Sequence, residues 1–536
     1  MFLSTDVNRK ERFSRVPTIS KSRNAFSEVQ SAKGTMQFDK LYPLYWKYIY
    51  PGDTLSITQH IMMRLGTQVS TLYDDLYIDV HAWFVPNRLT QTNWARYQFN
   101  AQPLGPTQDN SSLTAPTLDL SGLTTGFGSK SLYDVFGKFG DPTVDLSSSV
   151  ANINNYLGRS YNLIWNTNYR DQNLQEDIPV DLDEGPDDPA DYVLKARGKR
   201  HDMFTSCLTA QQKGTAPTLS LGSTIPIIAK NEVVQWQTSN DSTSRVGYIN
   251  SDGTLDLTSN PTAGNMKFAD SNSTGLLGDV SAVTALTVNA MRTQISIQHL
   301  LEADARSGTR DVEAISARWG VEVPDFRLQR PEYIGGSTFD FNGNVVPQTS
   351  ETGTTPQGNL VQFSESLGSF NVNHSFVEHG VFMILVSTRS NLTYQQSLAR
   401  ELSYNTRYDW FQPEFANLGE VGVKNKEIMF QGTGAGGADD DDFGFQEYGY
   451  ELRYSNSYVF GEMRSNFATP LDNLHMADDY SSLPTLNAAF IESQTPIDRN
   501  LVNNPSTVDP IEVSTIVKGK IARTLPMFSI PGLLRL

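Results

Sequence analysis

Cysteine is almost absent from this sequence. Cys207 stands alone among 536 residues, so no internal disulfide is available, and stability has to come from burial and from contacts with other chains. That scarcity fits a reducing compartment. Long apolar runs are missing as well: the most compact, Val381 to Val386, falls far short of the roughly 20 residues a membrane helix needs and reads as a buried strand. No apolar stretch of signal-peptide length follows Met1-Phe2-Leu3, which predicts a protein that the usual export routes do not handle. The sequence also has no G-x-S-x-G elbow, no P-loop and no cysteine pair, so positive signs of catalysis are lacking.

Enough apolar material is present for a core. Hydrophobic residues make up 38% and charged residues 19%, which predicts a folded chain. Length alone would suggest several domains, although β-sandwiches with long insertions exceed the average as one unit. The formal charge of −17 repels nucleic acid if spread evenly, but it is not spread evenly. Arg9, Lys10, Arg12, Arg15, Lys21 and Arg23 face only Glu11 and form a basic arm, and Lys518, Lys520, Arg523 and Arg535 bias the other end. Arginine and lysine hold DNA by neutralising phosphates without reading bases, so residues 9–23 together with Lys518, Lys520 and Arg523 are the candidate DNA contacts. The other reading of the arm is a tail paired with acidic surfaces of a neighbouring subunit.

Period-two patterning dominates. Leu55, Ile57, Ile61, Met63 and Leu65 alternate with polar residues, and so do Leu76, Ile78, Val80, Ala82 and Phe84 before Pro86 closes the run. These two segments read as neighbouring sheet elements. Gly380 to Val386 reads as a central strand covered on both faces, with shorter strands at Val421 to Phe430 and Tyr448 to Tyr454. Helices are few. One begins near Thr287, with Val288, Met291, Ile295, Leu300 and Leu301 on a broad face, and ends at Gly308. Thr309 caps a short second helix ending at Gly320, and Leu392 to Leu402 is a third, amphipathic candidate. Residues 214–286 are rich in Ser, Thr, Asn and Gly and carry nine charges, the pattern of a surface excursion. The class is all-β, with very long insertions containing a few helices.

The candidate chemistry is weak beside plainer readings. Gly432-Thr433-Gly434-Ala435-Gly436-Gly437 has the form G-x-G-x-x-G, but Asp439 to Asp442 follow directly and would repel a pyrophosphate, so an acidic loop is favoured. Asp439 and Asp441 are the candidate calcium ligands. Phe443 sits where another oxygen is needed, and a solvated or interface loop is favoured there and at Asp187, Asp188 and Asp191; no cofactor is expected. His374 and His379, beside Glu378, lie five apart near a strand and point to opposite faces, which excludes a shared zinc. A pair of acids suited to glycoside hydrolysis stays open, because their separation belongs to the fold.

Several blocks resemble the major capsid proteins of gokushoviruses, small icosahedral single-stranded DNA phages of the Microviridae. They include Pro51-Gly52-Asp53-Thr54, then Trp83 to Leu89 with Trp94, Tyr161 to Asn166 and Tyr169 to Gln175. Further blocks are Arg197 to Asp202 with Phe204 to Cys207, Pro324 to Glu332, Thr355 to Asn359, Glu378-His379-Gly380, Asn417 to Glu420 and Ser529 to Leu533. The resemblance runs from about residue 20 to the carboxyl end and fails over 214–286. It implies an eight-stranded jelly roll whose subunits, sixty to a shell, close a T=1 capsid around a circular single-stranded DNA genome.

The layout so implied is a basic arm over 1–40, a first part of the jelly roll over 41–213, a variable insertion over 214–286, and the remainder over 287–536. The insertion would gather at the threefold axes as a spike, with Trp236, Tyr248 and Asn250 as candidate host-attachment residues. Implied partners are a small basic DNA-packaging protein, scaffolding and pilot proteins and a host surface receptor, with no membrane insertion. The implied location is the virion, assembled in the bacterial cytoplasm. The alternative from another class is a carbohydrate-binding jelly-roll module or jelly-roll glycosidase.

Overall fold

A computed structural model describes residues 22–99, 113–149, 151–217, 288–306, 324, 329–347 and 360–528, with six short strands between 227 and 278. The chain divides into two compact units, one formed by the segments up to Gln211 and from Ser307 onward, the other by Gln212–Arg306.

In the first unit, strands β1 (Asn24–Met36), β2 (Tyr42–Ile49), β3 (Thr54–Leu65) and β4 (Leu76–Pro86) precede the second unit. Strands β5 to β10 belong to that unit: Ile227–Ala229, Val234–Thr238, Asp241–Ile249, Leu255–Leu257, Met266–Phe268 and Leu276–Gly278. The first unit then resumes with β11 (Glu332–Asp340), β12 (Asn342–Pro347), β13 (Leu360–Ser375), β14 (Gly380–Ser390), β15 (Glu420–Lys424), β16 (Asp442–Glu447) and β17 (Ile511–Arg523). Antiparallel pairing builds two sheets, β1-β17-β3-β13-β12 and β11-β4-β14-β2. With β12 set aside as a hairpin partner of β13, eight strands remain, and counted in chain order they run 1-8-3-6 and 5-4-7-2, the jelly-roll arrangement.

Alternation decides which side chains fill the space between the sheets. Leu55, Ile57, Ile61, Met63 and Leu65 of β3 are buried against Ile78, Val80, Ala82 and Phe84 of β4. The two strands therefore face each other across the core instead of pairing in one sheet as expected. The connection 66–75 is long enough to carry the chain from one sheet to the other. Gln59 takes the one inward polar position of β3 and donates from Nε2 to Thr515 Oγ1 at 2.9 Å. At Gly519 the strands approach so closely that a Cβ would lie 2.2 Å from the Ser56 carbonyl oxygen, and only glycine fits.

β14 is buried along its whole length, as the unbroken apolar run predicts. Phe382, Ile384 and Val386 enter the sandwich core. Val381, Met383 and Leu385 enter a second core on the other face of the same sheet. Helices from the segment after β4 cover that face: α1 (Trp94–Phe99), α2 (Leu132–Phe136) and α3 (Tyr156–Ile164). Ser131 caps α2 by accepting from the Asp134 amide at 3.2 Å, and Gly137, at φ 72°, ends it. A third cluster joins Met203, Phe204 and Cys207 to Val423, Phe443 and Phe490, tying the loop after β4 to the loop 391–510.

Several expectations need correction. The arm expected over 1–40 gives way at Asn24 to the first strand of the sandwich. Leu392 to Leu402 is irregular, with an isolated bridge at Tyr394, bends after it and a 3-10 turn at Arg400–Ser403, because its side chains bond in several directions. Gln395 donates to the Ala477 carbonyl, Gln396 to that of Tyr480, and Tyr394 to Asp202, which one helix face could not serve. No strand occupies Tyr448 to Tyr454: β16 ends at Glu447, and Gly449 at φ 77° leads into a 3-10 turn at Tyr450–Leu452. The strand from Val421 stops at Lys424 and a helical turn, Asn425–Ile428, follows. In the second unit the expected helix is present as α4 (Val288–Arg306), but Met291, Ile295 and Leu300 are exposed on it. The expected helix from Thr309 lies outside the described residues.

Replacing Ile384 or Met383 by alanine should each cost about 2–5 kcal/mol, since both leave cavities in closed cores. Leu367→Ala, on a side chain 78% exposed in β13, should stay within about 0.5 kcal/mol. Urea unfolding of the unassembled protein checks this, and a silent Met383→Ala would mean that the helical layer adds nothing.

Candidate assembly and nucleic-acid surfaces

The side of the β1-β17-β3-β13-β12 sheet that faces away from the core mixes serine, threonine and lysine with exposed apolar side chains at Val29, Met62 and Leu367. Register sets Ser27 beside Lys520 and Ser56, Val29 beside Lys518 and Thr58, and Ser31 beside Ile516 and His60. Lys518 and Lys520 are both exposed there, whereas Arg523, on the opposite parity, turns inward. Its Nε and Nη2 lie 2.9 Å from Asp53 Oδ2, and Nη2 also donates to the Tyr48 carbonyl at 2.8 Å. Arg523 is thus committed to holding the Pro51 to Thr54 turn against β17. Arg23, at the mouth of β1, donates to Thr54 Oγ1. Arg9, Lys10, Arg12, Arg15 and Lys21 lie outside the described residues.

In the second unit Trp236 falls on β6 opposite Arg245, and Tyr248 on β7 opposite Asp256; Asn250 lies outside the described residues. The acidic candidates do not converge. Asp439 accepts from the amides of Gln431 and Gly432 at 3.1 and 2.9 Å, while Asp440 and Asp442 pair with Lys426 and Lys424. Asp441 holds Asn425 through its backbone carbonyl. Two 3-10 turns occupy Gly432–Ala435 and Ala438–Asp440, without the strand and helix a dinucleotide loop requires. Among the described residues no group of three or more His, Cys, Asp or Glu is placed to hold a metal. His374 faces Glu332 at 3.5 Å, while His379 packs between the rings of Tyr50 and Trp94. Cys207 is sealed in the third cluster, where burial pushes its thiol up to about 12.

Two buried ion networks support the second core. Arg159 of α3 is fully buried and binds Asp187 at 2.5 Å, with further bonds to the carbonyls of Thr90 and Asp183. Asp187, one of the calcium candidates, is therefore a core counter-ion, and its neighbour Asp188 caps a 3-10 turn through the Ala190 amide. On the far side of β4, Asp79 accepts from Arg197 at 2.8 Å and Arg389 at 2.7 Å. Burial alone raises the Asp79 pKa, but the two guanidiniums together outweigh it and bring the carboxyl down to about 2.

The loop 391–510 carries an unusual share of exposed apolar side chains. Leu402, Tyr408, Trp410 and Leu452 are open to solvent, and Tyr458 and Phe460 are 71% and 74% exposed. A soluble monomer rarely leaves so many aromatic rings in one segment uncovered. Patterning along the chain missed this surface, because the loop has no period, although its density of Tyr, Trp and Phe was visible.

A jelly roll with long loops that display exposed aromatic rings suits a shell subunit. The comparisons with known proteins agree. A family model for capsid protein (F protein) matches residues 14–533, and the chain belongs to that family. Capsid protein VP1 of Bdellovibrio phage phiMH2K is 38% identical over 511 residues, 92% of each chain. VP1 of Chlamydia phage 1 is 34% identical over 597 aligned residues, 98% of each, and VP1 of Spiroplasma virus 4 is 31% identical over 528, 93% of each. The gokushovirus resemblance holds, and the protein is a structural major capsid protein of the virion, self-associating and not an enzyme. The carbohydrate-binding and glycosidase alternative is set aside. Among the described residues no helix is long and apolar enough to cross a membrane.

Asp79 supplies stability that is complete above the unfolded carboxylate range and is lost as pH falls through the folded value of about 2. Asp79→Asn should cost about 3–5 kcal/mol at neutral pH by leaving two buried guanidiniums uncompensated. It should also flatten the loss of stability between about pH 4 and 2, measured by acid titration of the unassembled protein.

Proposed function

We propose that sixty copies of this chain close into a T=1 icosahedral shell around a circular single-stranded DNA genome. The exposed apolar side chains of loop 391–510 carry this reading: rings such as Trp410 and Phe460, which enter none of the subunit's three cores, suit burial between copies, and closed symmetry multiplies modest interfaces into a stable container. Arg9, Lys10, Arg12, Arg15, Lys21 and Arg23 precede β1 in sequence, and its partner β17 presents Lys518 and Lys520. These residues neutralise phosphates without regard to sequence. The formal charge of −17 calls for help from a small basic DNA-packaging protein. Scaffolding and pilot proteins complete assembly in the bacterial cytoplasm. The insertion within Gln212–Arg306, which interrupts the jelly roll between β4 and β11, reaches a host surface receptor through residues such as Trp236, Tyr248 and Asn250.

Electron microscopy and particle mass of the expressed protein with its companions test the shell; a monomer that never assembles would overturn it. Trp410→Ser with Phe460→Ser should keep the melting temperature of the subunit while removing about 2 kcal/mol or more from each contact, so that particle yield collapses. Lys518→Gln with Lys520→Gln should lower the salt dependence of single-strand binding by about 0.7 per lost phosphate contact; an unchanged slope would free the sheet face of any packaging role.

A further inference from the structure

The sheet ladder of β17 stops at Arg523, which is turned to Asp53, and Pro526 follows soon after with no amide to give a neighbouring strand. The arm that leaves the sheet there is apolar. Leu525, Met527 and Phe528 are exposed, Phe528 to 76%, and enter none of the three cores. In sequence the arm goes on with Ile530, Pro531, Leu533, Leu534 and Leu536 and one charged side chain, Arg535; residues 529–536 lie outside the described residues. Asn24 holds the root of the arm by donating from Nδ2 to the Leu525 carbonyl at 2.7 Å. Two prolines and a row of exposed apolar side chains suit an extended segment that packs in a groove, not one that lengthens a sheet.

A groove of about 420 Å³ in the loop 391–510 has matching chemistry. Tyr394 and Tyr458 form a parallel bridge that sets two segments side by side. The Tyr394 amide donates to the Ser457 carbonyl at 3.1 Å, and the Val459 amide to the Tyr394 carbonyl at 3.3 Å. Tyr394 makes the floor, its ring 4.9 Å from that of Phe204 in the third core, and the exposed side chains of Leu402, Tyr454 and Tyr458 stand on the walls. The Tyr458 ring lies 6.4 Å from that of Phe460, so the groove is continuous with the aromatic surface assigned above to contacts between copies. Two oxygens on its wall, Glu451 Oε2 and Asn456 Oδ1, are buried and have no hydrogen-bond partner in the subunit. Glu401, Glu427 and Glu451 line the groove against Arg400 and Arg464, and Arg400 is already taken by Glu427 at 3.2 Å. A segment carrying one arginine among apolar residues suits that balance in sign.

The arm is too short to serve its own copy. Its root lies at the end of the sandwich where β14 begins, since Ala522 pairs with Thr54, and Thr54 with Ser375 just before the turn into Gly380. Tyr394 follows the other end of β14, an 11-residue strand that spans roughly 35 Å. Measured from Leu525, Phe528 reaches about 10 Å and residue 536 about 37 Å at full stretch, so nothing would be left to lie in the groove. We propose that the arm following β17 docks in this groove on a neighbouring copy, its apolar side chains over Tyr394 between Leu402 and Tyr458. The proposal deepens the shell reading and rests on it: each copy gives one arm and receives another.

A benzophenone side chain in place of the Phe528 ring, activated by light in assembled particles, tests the docking. It should join chains into covalent dimers and longer ladders, with the link mapped to 392–402 or 454–464. A link within one chain, to another surface of the neighbour or to another protein of the particle overturns the proposal, as does the absence of dimers. A fluorescent peptide with the sequence of residues 524–536 tests the groove without particles. It should bind the unassembled full-length chain, and Tyr458→Ser in that chain should weaken it about tenfold or more. A peptide carrying Leu525→Ser and Phe528→Ser should lose binding. Both peptides are compared on the unaltered chain, so equal binding of the two overturns the proposal even if the Tyr458→Ser chain misfolds. Particles whose link maps elsewhere sink the arm and spare the shell, whereas peptide binding by a chain that never forms particles sinks the shell and supports the groove.

Discussion

Burial of β14 on both faces is the constraint from which the rest of the subunit follows. A strand that puts Phe382 and Ile384 into one core and Met383 and Leu385 into another cannot exist in a two-layer sandwich. Its outer face has to be roofed, and the chain supplies the roof from the long segment after β4. The helices there are short, and a capped five-residue helix such as α2 has little stability of its own. They hold because Tyr133, Phe136, Tyr161 and Ile164 press into the second core and because Arg159 ties α3 to Asp187 and to the Thr90 carbonyl. What looks like loop in the sequence is a structural layer, and the sheet and its roof stabilise each other.

This arrangement also explains where charge is tolerated. Asp79, Arg197 and Arg389 sit where the roof ends and the sheet face begins to open, and each is acceptable only because the others are present. Further along the same face Lys199 pairs with Asp478. On the other sheet the outward face leaves its serines, threonines and lysines exposed together with Val29, Met62 and Leu367. The two faces of one sandwich thus differ in kind: one is largely closed by its own chain, the other left to solvent or to partners.

The regular parts of the fold were legible in the sequence. The alternation in β3, the apolar run of β14 and the helix after residue 287 each follow from side-chain periodicity, and each is present. Pairing was not legible. β3 and β4 have the same pattern and are close in sequence, yet they belong to different sheets, because periodicity tells which side of a strand is buried but not which strand lies beside it. The segment from Leu392 has helical spacing but is irregular, since the amides of Gln395 and Gln396 find backbone partners that a helix would forgo. The Gly-rich run before Asp439 and the acidic clusters resolved as loops held by their own amides and lysines.

Charge was the least legible property, and the reason is general. Counting along the chain grouped Arg523 with Lys518 and Lys520 as one basic end, although a parity difference of one residue sends Arg523 to Asp53 and the lysines to solvent. The same counting saw Arg197, Lys199 and Arg200 only as part of a motif. Space gathers them with Arg170, Arg330 and Arg389, which are scattered over more than two hundred residues of sequence. A net charge of −17 therefore says little about what the protein attracts at any one place. Local fields depend on which cations remain after the core has taken its counter-ions. At the end of β17 the core takes Arg523 for Asp53 and leaves Lys518 and Lys520 to solvent.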